Sequence, residues 1–328
     1  MANVLVTGAT GFLGGHVVER LARQGRSVLA HGRDGRKCEA LEAAGHTVMR
    51  GDLSLGFEPD FGPRSGKIDA IIHCAALSAP FGRLRDFQRA NVEATSNLVT
   101  FARQQEVRRF VLISSPSVYF TCADQLGVRE DGVLPKPFTP YARTKREAEK
   151  IVLAANDIGP IVLRPRGIYG RGDTALVPRL IHAANKGPLP LFRKGAARTD
   201  LTYVDDVVSA VLCALNAPAA VNGEVLNISG GEVLPIREVA DAACRRAGIT
   251  PRWKPMPFTP ALMAAAMLER ACLMLPRAPE PPVTRYGLGL FAFAQSLDIT
   301  KARTLLGWRP EIGFAEGLER TFQPGAGP

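Results

Sequence analysis

The pentapeptide YARTK sets a phenol, Tyr141, and an ammonium, Lys145, four residues apart. The run around it, TPYARTKREAEKIVLAAN (139–156), carries a helical pattern, and on a helix residues i and i+4 share a face. A tyrosine that titrates at about pH 10 is a poor proton carrier at neutral pH. A neighbouring ammonium stabilises the phenolate and lowers that value, which makes proton exchange with an alcohol or carbonyl feasible. Alone, such a pair is most often a solvated surface pair. Here two further motifs precede it in the chain.

The first is TGATGFLG (7–14), with glycines at 8, 11 and 14. It follows the strand-like run NVLVT (3–7) and opens the helical run FLGGHVVERLARQ (12–24). A residue without Cβ permits the tight turn and lets a pyrophosphate approach the backbone. The helix N-terminus then offers unpaired N–H groups to the phosphates. The second is ISSPSVY (113–119), at the end of the apolar run RFVLISS (109–115). Open α/β sheets bind ligands at that end of their strands. Ser114, Ser115 and Ser117 compete there to hold a substrate oxygen.

The elements that must position these groups alternate. SVLA (27–30), TVMRGD (47–52), IDAIIHCAA (68–76) and IVLRP (161–165) read as strands, with helical runs at 86–105 and 139–156 between later pairs. The alternation predicts a doubly wound parallel sheet, the Rossmann fold, with a smaller mixed C-terminal substrate domain. The expected division is a dinucleotide-binding domain over 1–165, to which 200–229 returns, and a substrate domain over most of 166–328. In the second half, 185–191 reads as a turn-rich connection, 203–215 as a helix with an acidic first turn, and 223–229 as a strand.

Of the 328 residues 46% are hydrophobic and the formal net charge is +10, yet lysine and arginine occur at most in pairs. Without basic runs or reading motifs, nucleic acid is not an expected partner. The six cysteines show no metal spacing and read as reduced thiols, so no metal is expected and the expected compartment is cytoplasmic. The apolar run ALMAAAMLERACLML (261–275) is too short to span a bilayer. It reads as a helix capping a substrate pocket, with peripheral membrane contact ranked below that.

GATGFLG, SSPSVY and YARTK, in this order, resemble the extended branch of the short-chain dehydrogenase/reductase superfamily, the NAD(P)-dependent epimerase/dehydratase family. PRGIYGRGDTALVPRL (165–180), RTDLTYVDD (198–206) and PPVTRYG (281–287) resemble its 3β-hydroxysteroid dehydrogenase-like branch. The resemblance implies Tyr141 as general acid/base, Lys145 lowering its pKa and binding the nicotinamide ribose, and Ser115 as the catalytic hydroxyl. It implies cofactor contacts from Gly8, Thr10, Gly11, Phe12, Leu13, Gly14, Asp52, Leu53, Ala75, Ala76 and Pro165. Asn91 reads as a structural helix residue.

The cofactor expectation turns on LAHGRDGRK (29–37). Aligned on the glycine turn, Gly32 falls where NAD-preferring relatives carry a ribose-binding Asp, and Arg33 beside it suits a 2′-phosphate. NADP(H) is therefore expected, helped by Arg36 and Lys37; Asp34 holding the ribose, which would admit NAD, is the alternative. The expected reaction is hydride transfer between nicotinamide and a hydrophobic ketone or secondary alcohol, sterol-like or β-keto acid-like. A nucleotide-sugar epimerase or dehydratase with tightly bound NAD comes second, and a non-catalytic dinucleotide-sensing protein third. Phe81, Phe120, Phe192 and Tyr286 are candidate pocket aromatics. A homodimer formed through the helices at 86–105 and 139–156 is the expected assembly.

Overall fold

The computed structural model describes residues 3–57 and 67–323. Seven strands form its main sheet: β1 (Asn3–Thr7), β2 (Ser27–Gly32), β3 (Thr47–Arg50), β4 (Ile68–His73), β5 (Arg109–Ile113), β6 (Pro160–Pro165) and β7 (Val225–Ile228). Their order is β7-β6-β5-β4-β1-β2-β3, and every pairing is parallel. This is the doubly wound Rossmann sheet that the alternation predicts. Strands β5 and β6 are buried along their whole length, which is why they read as unbroken apolar runs.

Successive residues of each strand feed opposite layers. Val4 and Val6 of β1 pack with Val17 and Leu21 of α1 (Phe12–Arg23) and with Val204 to Val211 of a later helix. Leu5 between them packs with Leu98, Phe101, Ala148 and Val152 on the other face. Burying one such side chain stabilises the fold by about 1.5–3 kcal/mol, so the two stripes fix which helix covers which face. After β2 comes helix α2 (Gly35–Ala43), capped by the Asp34 carboxylate on the Lys37 N–H.

The helix expected over 86–105 is built differently. A single α turn (Leu84–Phe87) runs into a π turn (Gln88–Glu93) and then into α3 (Ala94–Gln104). Helix α4 (Pro140–Leu153) begins where expected: Thr139 Oγ1 accepts the Ala142 N–H and Pro140 occupies the first turn. Helix α5 (Val204–Leu215) opens with Asp205 and Asp206.

Beyond the main sheet lie short mixed strands. Leu234–Pro235, Arg198–Thr199, Gln295–Leu297 and Gln125–Val128 make one four-stranded sheet. The segment expected to be a turn-rich connection contains a strand, Leu189–Leu191, paired with Trp253–Pro255. A three-residue strand with a proline at its centre carries too little pattern to show it. Helix α6 (Phe258–Met274) packs on α7 (Arg285–Ala292), with Ala265, Phe192, Leu288 and Ala292 in the contact. No helix among the described residues is long and apolar enough to cross a membrane.

Candidate active site

The carboxyl ends of β1, β4, β5 and β6 converge at one edge of the sheet, where the strand order reverses direction. Gly8 follows β1 with φ +69, and a Cβ there would stand 2.7 Å from the Ala75 nitrogen. Only glycine permits that approach. A Cβ on Gly14 would lie 2.2 Å from the Gly8 carbonyl oxygen, so the helix meets its own turn closely. The ends of β1 and β4 are tied together. Thr7 Oγ1 shares a 2.6 Å hydrogen bond with His73 Nδ1 and accepts the Ala75 N–H at 3.3 Å.

Helix α1 has Gly11 at its N-cap, no side-chain cap and no acid in its first turn. Its leading N–H groups, near Phe12, Leu13 and Gly14, are therefore the donor set that a pyrophosphate takes. The residues present fit a dinucleotide on this observation. Further along the edge, Asp52 accepts the Ser54 N–H at 3.0 Å, with Arg33 and Arg89 within 4 Å of its carboxylate. The Ser54 hydroxyl bond, first, and both guanidiniums hold that carboxyl below its ordinary value against the effect of burial. Leu53 is buried behind it. Lys37 Nζ donates to the Thr10 carbonyl, while Asp34 is engaged as the cap of α2. Ala76 and Pro165 lie at the ends of the β4 and β6 segments, and Pro165 is buried.

The proton-handling groups meet on α4. The hydroxyls of Ser115 and Ser78 lie close enough to the Tyr141 phenol to act on its pKa. The three candidate serines part company here. Ser114 donates to Glu149, Ser117 is buried, and Ser115 alone of the three reaches Tyr141. Lys145 is buried one turn further on and donates to the Ile113 carbonyl at 2.6 Å. The expected lowering of the Tyr141 pKa by Lys145 does not hold. Burial pushes the phenol above its ordinary value, and the Ser78 and Ser115 hydroxyls only partly offset this. The ammonium is turned to a main-chain carbonyl and is itself buried, which lowers its pKa to about 8 against the pull of Glu149.

Ser78, Glu149 and Arg164 complete the site without a sequence signal, alongside Asn91 and Tyr286, which the sequence singles out. Ser78 reaches Tyr141 because Asn91, on the π turn, grips the neighbouring loop. Its Oδ1 accepts the Leu77 N–H at 2.7 Å, and its Nδ2 donates to Thr144 Oγ1 at 3.0 Å. Glu149 takes two hydrogen bonds from the Arg164 guanidinium, at 2.8 and 2.6 Å, both side chains being buried. Tyr286 lies within electrostatic reach of both Tyr141 and Arg166. Its ring packs 4.8 Å from Phe120, which packs 4.9 Å from Phe138. Of the other candidate aromatics, Phe192 is fully buried beneath α6, and Phe81 packs on Cys272 and Ala278.

Known proteins are similar to this chain. The model of the NAD dependent epimerase/dehydratase family matches residues 4–229. The chain is 34% identical over 326 residues to 2-alkyl-3-oxoalkanoate reductase of Stenotrophomonas maltophilia, covering 97% of each. It is 30% identical over 338 residues to sterol-4-alpha-carboxylate 3-dehydrogenase, decarboxylating, of Mus musculus, covering 97% of this chain and 89% of that protein. Among solved structures, MoeE5 in complex with UDP-glucose and NAD is similar at TM-score 0.75 and 28% identity, over 98% of this chain and 97% of that one.

Proposed function

The chain belongs to the NAD dependent epimerase/dehydratase family, and from that premise we propose that it is an NADP(H)-preferring oxidoreductase that reduces a hydrophobic ketone, sterol-like or of the β-keto acid kind. One observation carries the reading: the Tyr141 phenol meets the Ser115 and Ser78 hydroxyls beside the aromatic wall of Phe120, Phe138 and Tyr286. Pockets for oily ligands combine apolar lining with a few placed polar groups. The relatives named for 3-oxoalkanoate reduction and sterol dehydrogenation support the substrate class.

When bound, the nicotinamide supplies the hydride. Ser115 donates a hydrogen bond to the substrate oxygen and orients it. Tyr141 delivers its proton to that oxygen as the negative charge develops. A phenol whose pKa is raised by burial stays protonated at neutral pH, the state that reduction requires. Lys145, buried one turn along α4, is the residue we assign to the nicotinamide ribose, to which its ammonium donates. Arg33 is the residue we assign to the 2′-phosphate, since no carboxylate at position 32 repels it and Asp34 is occupied as a cap.

The test is a turnover screen of β-keto acids, sterols, aromatic ketones and nucleotide sugars with both cofactors. The expected result is ketone reduction with a higher kcat/KM for NADPH. Tyr141→Phe is expected to lose about 10²–10⁴-fold in kcat while still binding cofactor. Tightly bound NAD with activity confined to nucleotide sugars would replace this reading with an epimerase; full turnover by the Phe variant would remove Tyr141 from the proton step.

A further inference from the structure

Helix α6 is 17 residues long and has two unlike sides. At about 100° per residue, Ala261, Ala265, Glu269 and Cys272 fall on one stripe. That stripe faces inward: Ala265 packs on Phe192 and Leu288, Cys272 on Phe81, and Glu269 takes the Arg285 N–H and guanidinium at 2.7 and 2.6 Å. The opposite stripe holds Met263, Met267 and Met274, exposed to 64%, 69% and 82%. Met256 and Leu275, just outside the helix ends, are exposed as well. Four of the chain's six methionines thus stand in solvent within one segment. Scattered exposed apolar residues are ordinary, but a contiguous row on one helix face marks an interaction surface.

The charges around the row select its occupant. Between residues 251 and 278 the charged side chains are Arg252, Lys254, Glu269, Arg270 and Arg277. Glu269 is buried and paired, and the four cations are exposed. Arg252 and Lys254 precede the helix, Arg270 lies on its exposed side, and Arg277 follows it. Two copies meeting through this face about a two-fold axis would bring these like charges together. An anionic bilayer surface complements them while its acyl region takes the methionines.

We propose that the outer face of α6 is a docking surface for an anionic lipid bilayer, lying in the interface with Met263, Met267 and Met274 inserted and the four cations at headgroup level. Methionine suits this role because its flexible thioether adapts to an irregular partner. The proposal does not depend on the reaction assigned above, and its assay requires no turnover.

The experiment is co-sedimentation of the full chain with phosphatidylcholine vesicles, with and without phosphatidylglycerol. It uses the wild type, Met263→Glu/Met267→Glu and Met263→Gln/Met267→Gln, with native mass measured for each. The wild type is expected to bind the phosphatidylglycerol vesicles strongly and the neutral ones weakly. Both double variants are expected to bind about tenfold more weakly or less, since each loses two inserted apolar side chains. Unweakened binding by the Gln pair, or no binding by the wild type, overturns the proposal. So does a halved native mass in the variants, which would make the face a contact between copies.

Discussion

Gly32 and Thr10 share a space that admits one side chain. A Cβ on Gly32 would stand 2.4 Å from Thr10 Cγ2 and 2.9 Å from its hydroxyl. Threonine is short and branched, so it cannot swing clear. Installing the ribose-binding acid by Gly32→Asp alone is therefore expected to weaken both cofactors. Gly32→Asp with Thr10→Ala removes both of those atoms and leaves Cys38 Sγ, at 3.2 Å, to give way slightly; its carboxylate is expected to shift preference toward NADH by about 10–100-fold, the scale of one charge-assisted hydrogen bond gained or lost. Values of kcat/KM for NADPH and NADH in both variants check this; an equal effect of the single and double changes would contradict it. Residue-scale signals were legible where chemistry is local. The glycine turn and the Tyr141–Lys145 spacing are short-range patterns. Ser78 and Tyr286 were not comparably legible as partners of Tyr141, because what brings them there is distant: the Asn91 amide for one, the packing of α7 on α6 for the other.

Helix α4 carries Tyr141, Lys145 and Glu149 at successive four-residue steps, so one face links the proton carrier to a buried ion pair. Glu149 anchors that face to β6 through Arg164 and pulls the Lys145 pKa upward. Glu149→Gln leaves the Arg164 guanidinium buried without its counter-charge, an error that costs about 3–5 kcal/mol. Urea denaturation is expected to show that loss. The same variant is expected to move the alkaline fall of ketone reduction, which follows deprotonation of Lys145 at about 8 in the parent, to lower pH. A pH profile that stays in place while stability drops would leave Glu149 a purely structural anchor. The helix itself was readable from its cap and periodicity. The ion pair was not, since Arg164 lies on a strand whose sequence shows only that it is apolar.

At the scale of the whole molecule, the parallel sheet was legible because its strands are buried runs separated by helical patterns. The mixed sheet beside it was not, because strands of two to four residues leave no period to read. Burial of the main sheet also sets a pH limit. His31 and His73 sit on adjacent parts of it, and burial lowers their pKa values from 6.5 to about 4 and about 3. As pH falls below 6.5 the unfolded chain takes up these protons before the folded one does. The contribution is therefore complete above 6.5 and lost on acidification toward about 4. Urea midpoints across that window should decline, and His31→Gln should flatten the decline; an unchanged slope would remove His31 from it and leave His73 and the carboxylates. The π turn over Gln88–Glu93 bears on the molecule's history. It makes the rod's geometry a matter of counting. Losing one residue there would restore an α turn, yet rotate Leu84–Phe87 by about 100° relative to α3 and swing Asn91 off its loop. Descendants of this chain can trade side chains along the rod far more freely than they can change its length.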